Sequence, residues 1–430
     1  VSYDCIIIGG GLAGLTCGIK CAKEGLRTVI LSGGMSALHF SSGSIDLFGY
    51  NQRGRIITEP FEFLKDFISG GGDHPYAKAG IKVIREAMDF FTEEVQRENL
   101  NLYNNGNNNH FHITALGTLK PTYLSQASVF SKKIKEAFER KGKIAVLEFD
   151  GFRDYYSSLG IENLRKHPMF RDIEIVGGKI TMPHYLRTEK NLHEFRSIDL
   201  ARVFETEKYL PRLADEIKKQ AGNAEIVGLP AFIGITNSTH IHRRLQEMTG
   251  LIIYEVPTLP PSLLGMRLDT ALRSRFAAHG GEYSASSKVV SGVIDENRVS
   301  HVFTENYGDT KYRARTYLLS TGSFFSGGLR SAFNHMEEPV FRLKFSKSEA
   351  RNKWYSKDFF DKKGHRFLEY GVETNKSLNP LDENGKPVKN LFCAGALLAG
   401  YNPIREGSGG GVAISTGYQA ALKIIKECRS

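Results

Sequence analysis

The stretch DCIIIGGGLAGLTCGIKCAKEGLRTVILSGG, residues 4–34, decides the fold. An apolar run at 4–8, helical residues at 12–24 and a second apolar run at 28–31 predict a βαβ unit. Gly9, Gly11 and Gly14 stand between the first strand and the helix with G-x-G-x-x-G spacing. In that pattern the first glycine permits the tight turn, the second lets backbone approach phosphate, and the third lets helix and strand pack closely. The free N–H groups and dipole of the helix N-terminus favour the phosphate charge. The second strand of such units usually ends on an acidic residue that holds the adenosine ribose. Ser32 stands there instead. A dinucleotide with another ribose contact, a smaller nucleotide, and a fold that has lost its ligand all fit that serine.

The rest of the chain sets the scale. Its 430 residues are enough for two domains and a sizeable core. With 41% hydrophobic and 24% charged residues the composition is that of a folded globular protein. A net charge of +10 and a pI of about 9.2 favour acidic partners. The basic residues are scattered, however, and KKIK at 132–135 reads as a solvated helix face, so no nucleic-acid partner is expected. The longest apolar run, Cys5 to Ile19, is glycine-rich and shorter than the roughly 20 residues a bilayer requires. Asp4 stands where a signal peptide would be basic, and no cleavage pattern follows it. The five cysteines contain no C-x-x-C pair, which argues against a disulfide framework or an iron–sulfur cluster held by this chain alone.

Ile81, Ile84, Met88, Phe91 and Val95 recur at helical spacing in a segment opening at Pro75. KIAVLEF and EIVGLPAFIGI read as strands, the three-proline stretch from Glu255 as an extended connector, and VVSGVIDENRVSHVFT as a hairpin turning at 295–297. The stretch STHIHRRL, read as a strand, places His240 and His242 on opposite faces, so no metal site is expected.

Three further stretches carry chemistry. In NLFCAGALLAGYNPIREGSGGGVAIS a strand runs into Gly395, and Gly409, Gly410, Gly411 and Val412 open an amphipathic helix. Backbone N–H groups there suit the pyrimidine edge of a flavin, which gathers negative charge on reduction. Thr321 and Gly322, in STGS, end a buried strand of the kind that returns to a nucleotide-binding sheet. SALHFSSGSID supplies small hydrogen-bonding residues, Ser36, Ser41, Ser42, Gly43 and Ser44, to wrap a flavin or a phosphate. Within it His39 is the candidate proton acceptor, because an imidazole titrates near neutrality. Arg244, Arg267 and Arg405 are candidate clamps for a phosphate or carboxylate, and Arg267 and Arg405 join His39 as expected catalytic residues.

Taken in order, IIIGGGLAGLTCGI, SALHFSSGSIDL, LGTLKPTYL, EVPTLPPSLLGMRL and NLFCAGALLAGYNP with GSGGGVAISTGY resemble the B-subunit family of anaerobic glycerol-3-phosphate dehydrogenases. These are flavoproteins related to the fumarate reductase and succinate dehydrogenase kind. The resemblance implies an α/β, Rossmann-like two-dinucleotide-binding flavoprotein domain, discontinuous in sequence, with an inserted α+β cap. Residues 1–55, 263–335 and 385–430 would bind the flavin, 56–262 would form a cap on the substrate or partner side, and 336–384 would connect them. It implies FMN as cofactor, with FAD as the alternative, and glycerol 3-phosphate as substrate, oxidised to dihydroxyacetone phosphate. Electrons would pass to quinone, then to fumarate or nitrate. The implied partners are a catalytic A subunit and an iron–sulfur C subunit that holds an otherwise cytoplasmic chain at the inner membrane. An RNA-associated flavoprotein predicts instead a continuous basic face beside the cleft. A scaffold without cofactor predicts a blocked glycine turn.

Overall fold

The computed structural model describes residues 2–181, 191, 194–346, 349–361 and 363–430. Its first sheet has five parallel strands, ordered Glu282–Ser284, Thr28–Leu31 (β2), Ser2–Ile8 (β1), Arg313–Leu319 and Leu391–Cys393. β2 is buried along its whole length, as expected of a strand covered on both faces. The helix Leu12–Lys23 (α1) follows β1 and packs against the C-terminal helix Gly409–Arg429 and the helix Leu263–Ala278. Small residues make that packing close. A Cβ on Gly14 would strike the Gly9 carbonyl, and one on Gly417 would strike the Ala13 carbonyl. Cys17 and Cys21 lie in the same interface with sulfurs 3.9 Å apart; burial pushes the Cys17 thiol up, and the contact with Cys17 together with burial pushes the Cys21 thiol up, which leaves both unreactive.

The inserted region holds two antiparallel pairs, Leu102–Tyr103 with Ser125–Gln126 and His110–Ile113 with Leu119–Thr122, and the second sheet. The four strands of that sheet, ordered Ile252–Val256, Ile226–Pro230, Ile144–Phe149 and Ile175–Ile180, are all parallel. Helices Ser157–Lys166, Leu210–Ala221 and Ser238–Thr249 lie between them in sequence, so this sheet and its helices form a second α/β unit. Parallel neighbours need such crossovers, and the helices cover a sheet whose strands are almost continuously apolar. The segment STHIHRRL forms the last of these helices rather than a strand. There His240 pairs with Glu207 at 2.7 Å, His242 bonds the Ile253 carbonyl at 2.9 Å, and Arg244 pairs with Glu207 and Glu247.

The periodic segment after Pro75 is two helices, Pro75–Ala79 and Ile81–Gln96, broken at Gly80, whose φ of 77° a glycine adopts without strain. Phe61, Leu64, Ile84, Phe91 and Val95 join the core around the first sheet. A separate core surrounds the second sheet. Among the described residues no helix is long and apolar enough to cross a membrane.

Arg267 joins the two units. It stands on the helix Leu263–Ala278, its side chain 1% exposed, and forms a bidentate pair with the equally buried Glu255 at 2.6 and 3.0 Å. Its remaining donors reach the carbonyls of Gly234 at 2.9 Å and Ile233 at 2.6 Å. Glu255 also accepts from the backbone N–H groups of Phe232 and Ile233 and from the Ser128 hydroxyl. Arg267→Met leaves that carboxylate buried without its counter-charge and should cost about 3–5 kcal/mol in urea unfolding. A loss below about 1 kcal/mol would show that the pair does not hold the units together.

Candidate functional site

The glycine turn sits where β1 meets the returning strand Arg313–Leu319. Gly9 has φ 110°, and a Cβ on it would collide with the Ser320 carbonyl, so glycine is required twice over. Gly11 caps α1, and a Cβ on it would meet nothing within 4 Å. The turn therefore opens onto free space, unlike the blocked turn of a scaffold.

That space is a cleft of about 940 Å³, near the top of the roughly 300–1,000 Å³ usual for ligand sites. Of the expected residues, Gly9, Gly11, Ser32, Ser36, Ser41, Ser42, Ser44, Thr321, Gly322, Gly395, Gly409 and Gly410 all line it. Four others stand behind the wall. Gly14 packs under the turn, and Gly43, at φ 69°, packs on Leu264 and Gln126. Gly411 lies against the Tyr76 hydroxyl, and Val412 is fully buried.

The three expected catalytic side chains are not brought together. Arg267 is the buried strut described above. Arg405 is exposed and donates to the Gln52 carbonyl at 2.7 Å, outside the cleft. His39 turns its Nε2 to Asp269 at 3.1 Å, and Asp269 also holds Arg273 at 2.8 Å, so the imidazole is tied to the helix Leu263–Ala278 and does not line the cleft.

Other side chains take up the chemical positions. At one end, Ser32 is 4% exposed and its hydroxyl donates to the Gly34 carbonyl at 3.1 Å. The carboxylate at this end comes from Glu305, at the base of the hairpin Val289–Thr304, with Lys288 at 3.9 Å. At the other end, Lys120 reaches Asp46 at 2.5 Å. The backbone carbonyl of Asp46 accepts from Gly411 N at 2.9 Å, which fixes this pair beside the N-terminus of the C-terminal helix. Ser44 bonds the Nδ1 of His112 at 3.0 Å. With Arg330, three cations and two carboxylates line the cleft, a balance that favours an anionic ligand.

The residues present fit a flavin. Thr321 Oγ1, Tyr401 Oη and Asp46 Oδ1 belong to cleft-lining residues, and each is buried without a partner. Unpartnered polar atoms are costly in a folded protein, and a ligand in the cleft would complete the bonding of these three.

Comparison with known proteins agrees with this geometry. A family profile described as an FAD binding domain matches residues 4–412. An Aliivibrio fischeri protein, named as the B subunit of anaerobic glycerol-3-phosphate dehydrogenase, is 36% identical over 438 residues, covering 99% of this chain and 96% of the relative. Its counterpart in Vibrio vulnificus is also 36% identical, over 439 residues, covering 100% and 99%. The chain belongs to the B-subunit family of anaerobic glycerol-3-phosphate dehydrogenases. Among solved structures, the open conformation of a flavocytochrome c3 fumarate reductase aligns with 100% of this chain and 79% of its own, at TM-score 0.44 and 9% identity.

This B-subunit family member thus has an FAD-binding fold and binds flavin as part of an oxidoreductase family. The expectation of FMN as first choice is not supported, since the matched profile is one for FAD. The cleft continues past the glycine turn to Ser32, Lys288 and Glu305.

Two buried histidines, His110 and His112, share one strand, and His112 bonds the cleft-lining Ser44. Burial pulls His110 down to about 4 from an ordinary 6.5, and it holds His112 well below its usual range. Between those limits the unfolded chain takes up protons that the folded chain refuses. Stability should therefore fall as pH drops from 6.5 toward 4, by roughly 3 kcal/mol for His110 alone. Urea unfolding at a series of pH values checks this, and His110→Phe should flatten the slope.

Proposed function

We propose that this chain is the flavin-carrying subunit of a quinone-dependent glycerol-3-phosphate dehydrogenase complex and that its cofactor is FAD. The observation that carries the reading is the continuity of one cleft from Glu305, through the Gly9–Gly11 turn, to Gly409 and the Asp46–Lys120 pair. The α1 N-terminus and the Gly9–Gly11 backbone would hold the diphosphate, with Ser32 and Glu305 toward the ribose. Ser41, Ser42, Ser44, Thr321 and Gly322 would hold the middle of the cofactor. The N–H groups of Gly409 and Gly410 would face the ring edge that gathers negative charge. When bound, the flavin supplies a two-electron acceptor for the hydrogen on the carbon bearing the substrate hydroxyl.

This chain's residues supply recognition and proton handling. Lys120 is placed to bind the substrate phosphate as a point charge. Asp46 keeps one oxygen on Lys120 and has Oδ1 free to accept from the C2 hydroxyl. In this reading residues 56–262 form the cap over the substrate end, and 336–384 connect the cap to the flavin unit. Electrons leave to an iron–sulfur partner, and a catalytic A subunit and a membrane C subunit complete an assembly at the inner membrane. Quinone, and then fumarate or nitrate, receive the electrons.

The test is Lys120→Met in the assembled complex. Losing a charge-assisted bond to phosphate should raise the KM for glycerol 3-phosphate by about 10- to 100-fold with flavin content unchanged. An unchanged KM would place substrate oxidation in the partner subunit and leave this chain an electron conduit.

A further inference from the structure

A second cavity, of about 250 Å³, opens in the inserted region and shares no lining residue with the cleft. Its walls are mostly aromatic and aliphatic, with Phe111, Ile113, Leu119 and Phe170 among them, and Asn105, Lys135 and Glu139 also line it. The His110 ring stacks on Phe130, centroids 4.9 Å apart and planes at 19°. A dry cavity of roughly 150 Å³ already holds benzene, so this one has room for a fused pair of rings.

Two neighbouring residues at its wall are incompletely bonded. Asn109 and His110 are 6% and 4% exposed, and Asn109 Oδ1 and His110 Nδ1 are buried with no partner. The Asn109 amide is fixed in orientation, because Nδ2 donates to the carbonyls of Phe48 at 2.8 Å and Ile57 at 2.7 Å. Its Oδ1 can only accept. His110 spends Nε2 on the Ser125 hydroxyl at 2.7 Å, which leaves Nδ1 over. Burial keeps the imidazole neutral at physiological pH. Leaving such groups unbonded is costly in a folded protein. A hydroxyl both donates and accepts, so a single hydroxyl within reach of both atoms would complete the pair. It would donate to Asn109 Oδ1 and accept from His110 Nδ1–H, in the tautomer where Nε2 accepts from Ser125.

We propose that this cavity is a binding site for a planar aromatic ligand of the phenol class, its rings against Phe130 and Phe170 and its hydroxyl between Asn109 and His110. The cavity lies close to the cleft along one strand. His112, two residues on from His110, bonds the cleft-lining Ser44.

Calorimetric titration of the flavin-loaded protein with 1-naphthol and with 1-methoxynaphthalene tests the site, since the ether keeps the rings and loses the donor. The expected result is one naphthol per chain, bound about tenfold more tightly than the ether. His110→Phe, which keeps the stack on Phe130, should reduce that preference several-fold, and Leu119→Trp should fill the cavity and abolish binding of both. Equal affinity for the two compounds would overturn the proposal by showing an apolar cavity without polar recognition. Binding of neither would show that water completes these groups. Binding that survives Leu119→Trp would place the naphthol elsewhere.

Discussion

The ion pair between Glu255 and Arg267 joins two sheets that share no strand. Burying two charges is expensive, and the cost is offset only when geometry and additional hydrogen bonds are good. Both conditions hold, since the guanidinium is matched by a carboxylate and two carbonyls, and the carboxylate by two backbone N–H groups and a hydroxyl. The helix bearing Arg267 is also the support of the serine-rich wall of the cleft. Its first residues meet the loop where Ser262 N donates to the His39 carbonyl at 2.7 Å and where a Cβ on Gly265 would strike the Leu38 carbonyl. Further along the same helix, Asp269 holds His39. The position of Ser41, Ser42 and Ser44 relative to the glycine turn thus depends on a helix anchored in the other unit.

How much of this is legible in the residues follows from whether the deciding contacts are local. The βαβ unit, the hairpin at 295–297 and the glycine-opened C-terminal helix are short-range patterns, and each stands where its spacing places it. Arg267 defeats a local reading, because whether an arginine is a substrate clamp or a strut depends on carbonyls at 233–234 and a carboxylate in another strand. Asp46 and Lys120 stand out in the sequence only as members of larger motifs. Their proximity is tertiary, since a strand far along the chain delivers the ammonium. The one available signal is that both fall in stretches carrying the family resemblance. STHIHRRL is ambiguous because its alternating residues also satisfy a helix, and the buried residues Ile241 and Leu245 are four apart.

Ser32 now has a physical explanation. Its strand end is tied to Ser284 and Ser287 by backbone bonds of 3.0 and 2.7 Å, and the acidic group at that end of the cleft is supplied by Glu305 from a different element. A serine at the end of β2 is therefore compatible with a complete dinucleotide site.

The measurement that bears most directly on this account is the identity of the flavin. The purified chain would be denatured, the released cofactor separated by chromatography and counted per chain. The account predicts one FAD per chain. FMN in its place would contradict a cleft that extends to Ser32, Lys288 and Glu305 as one dinucleotide site, and a folded, colourless chain that takes up no added FAD would contradict the cofactor assignment itself.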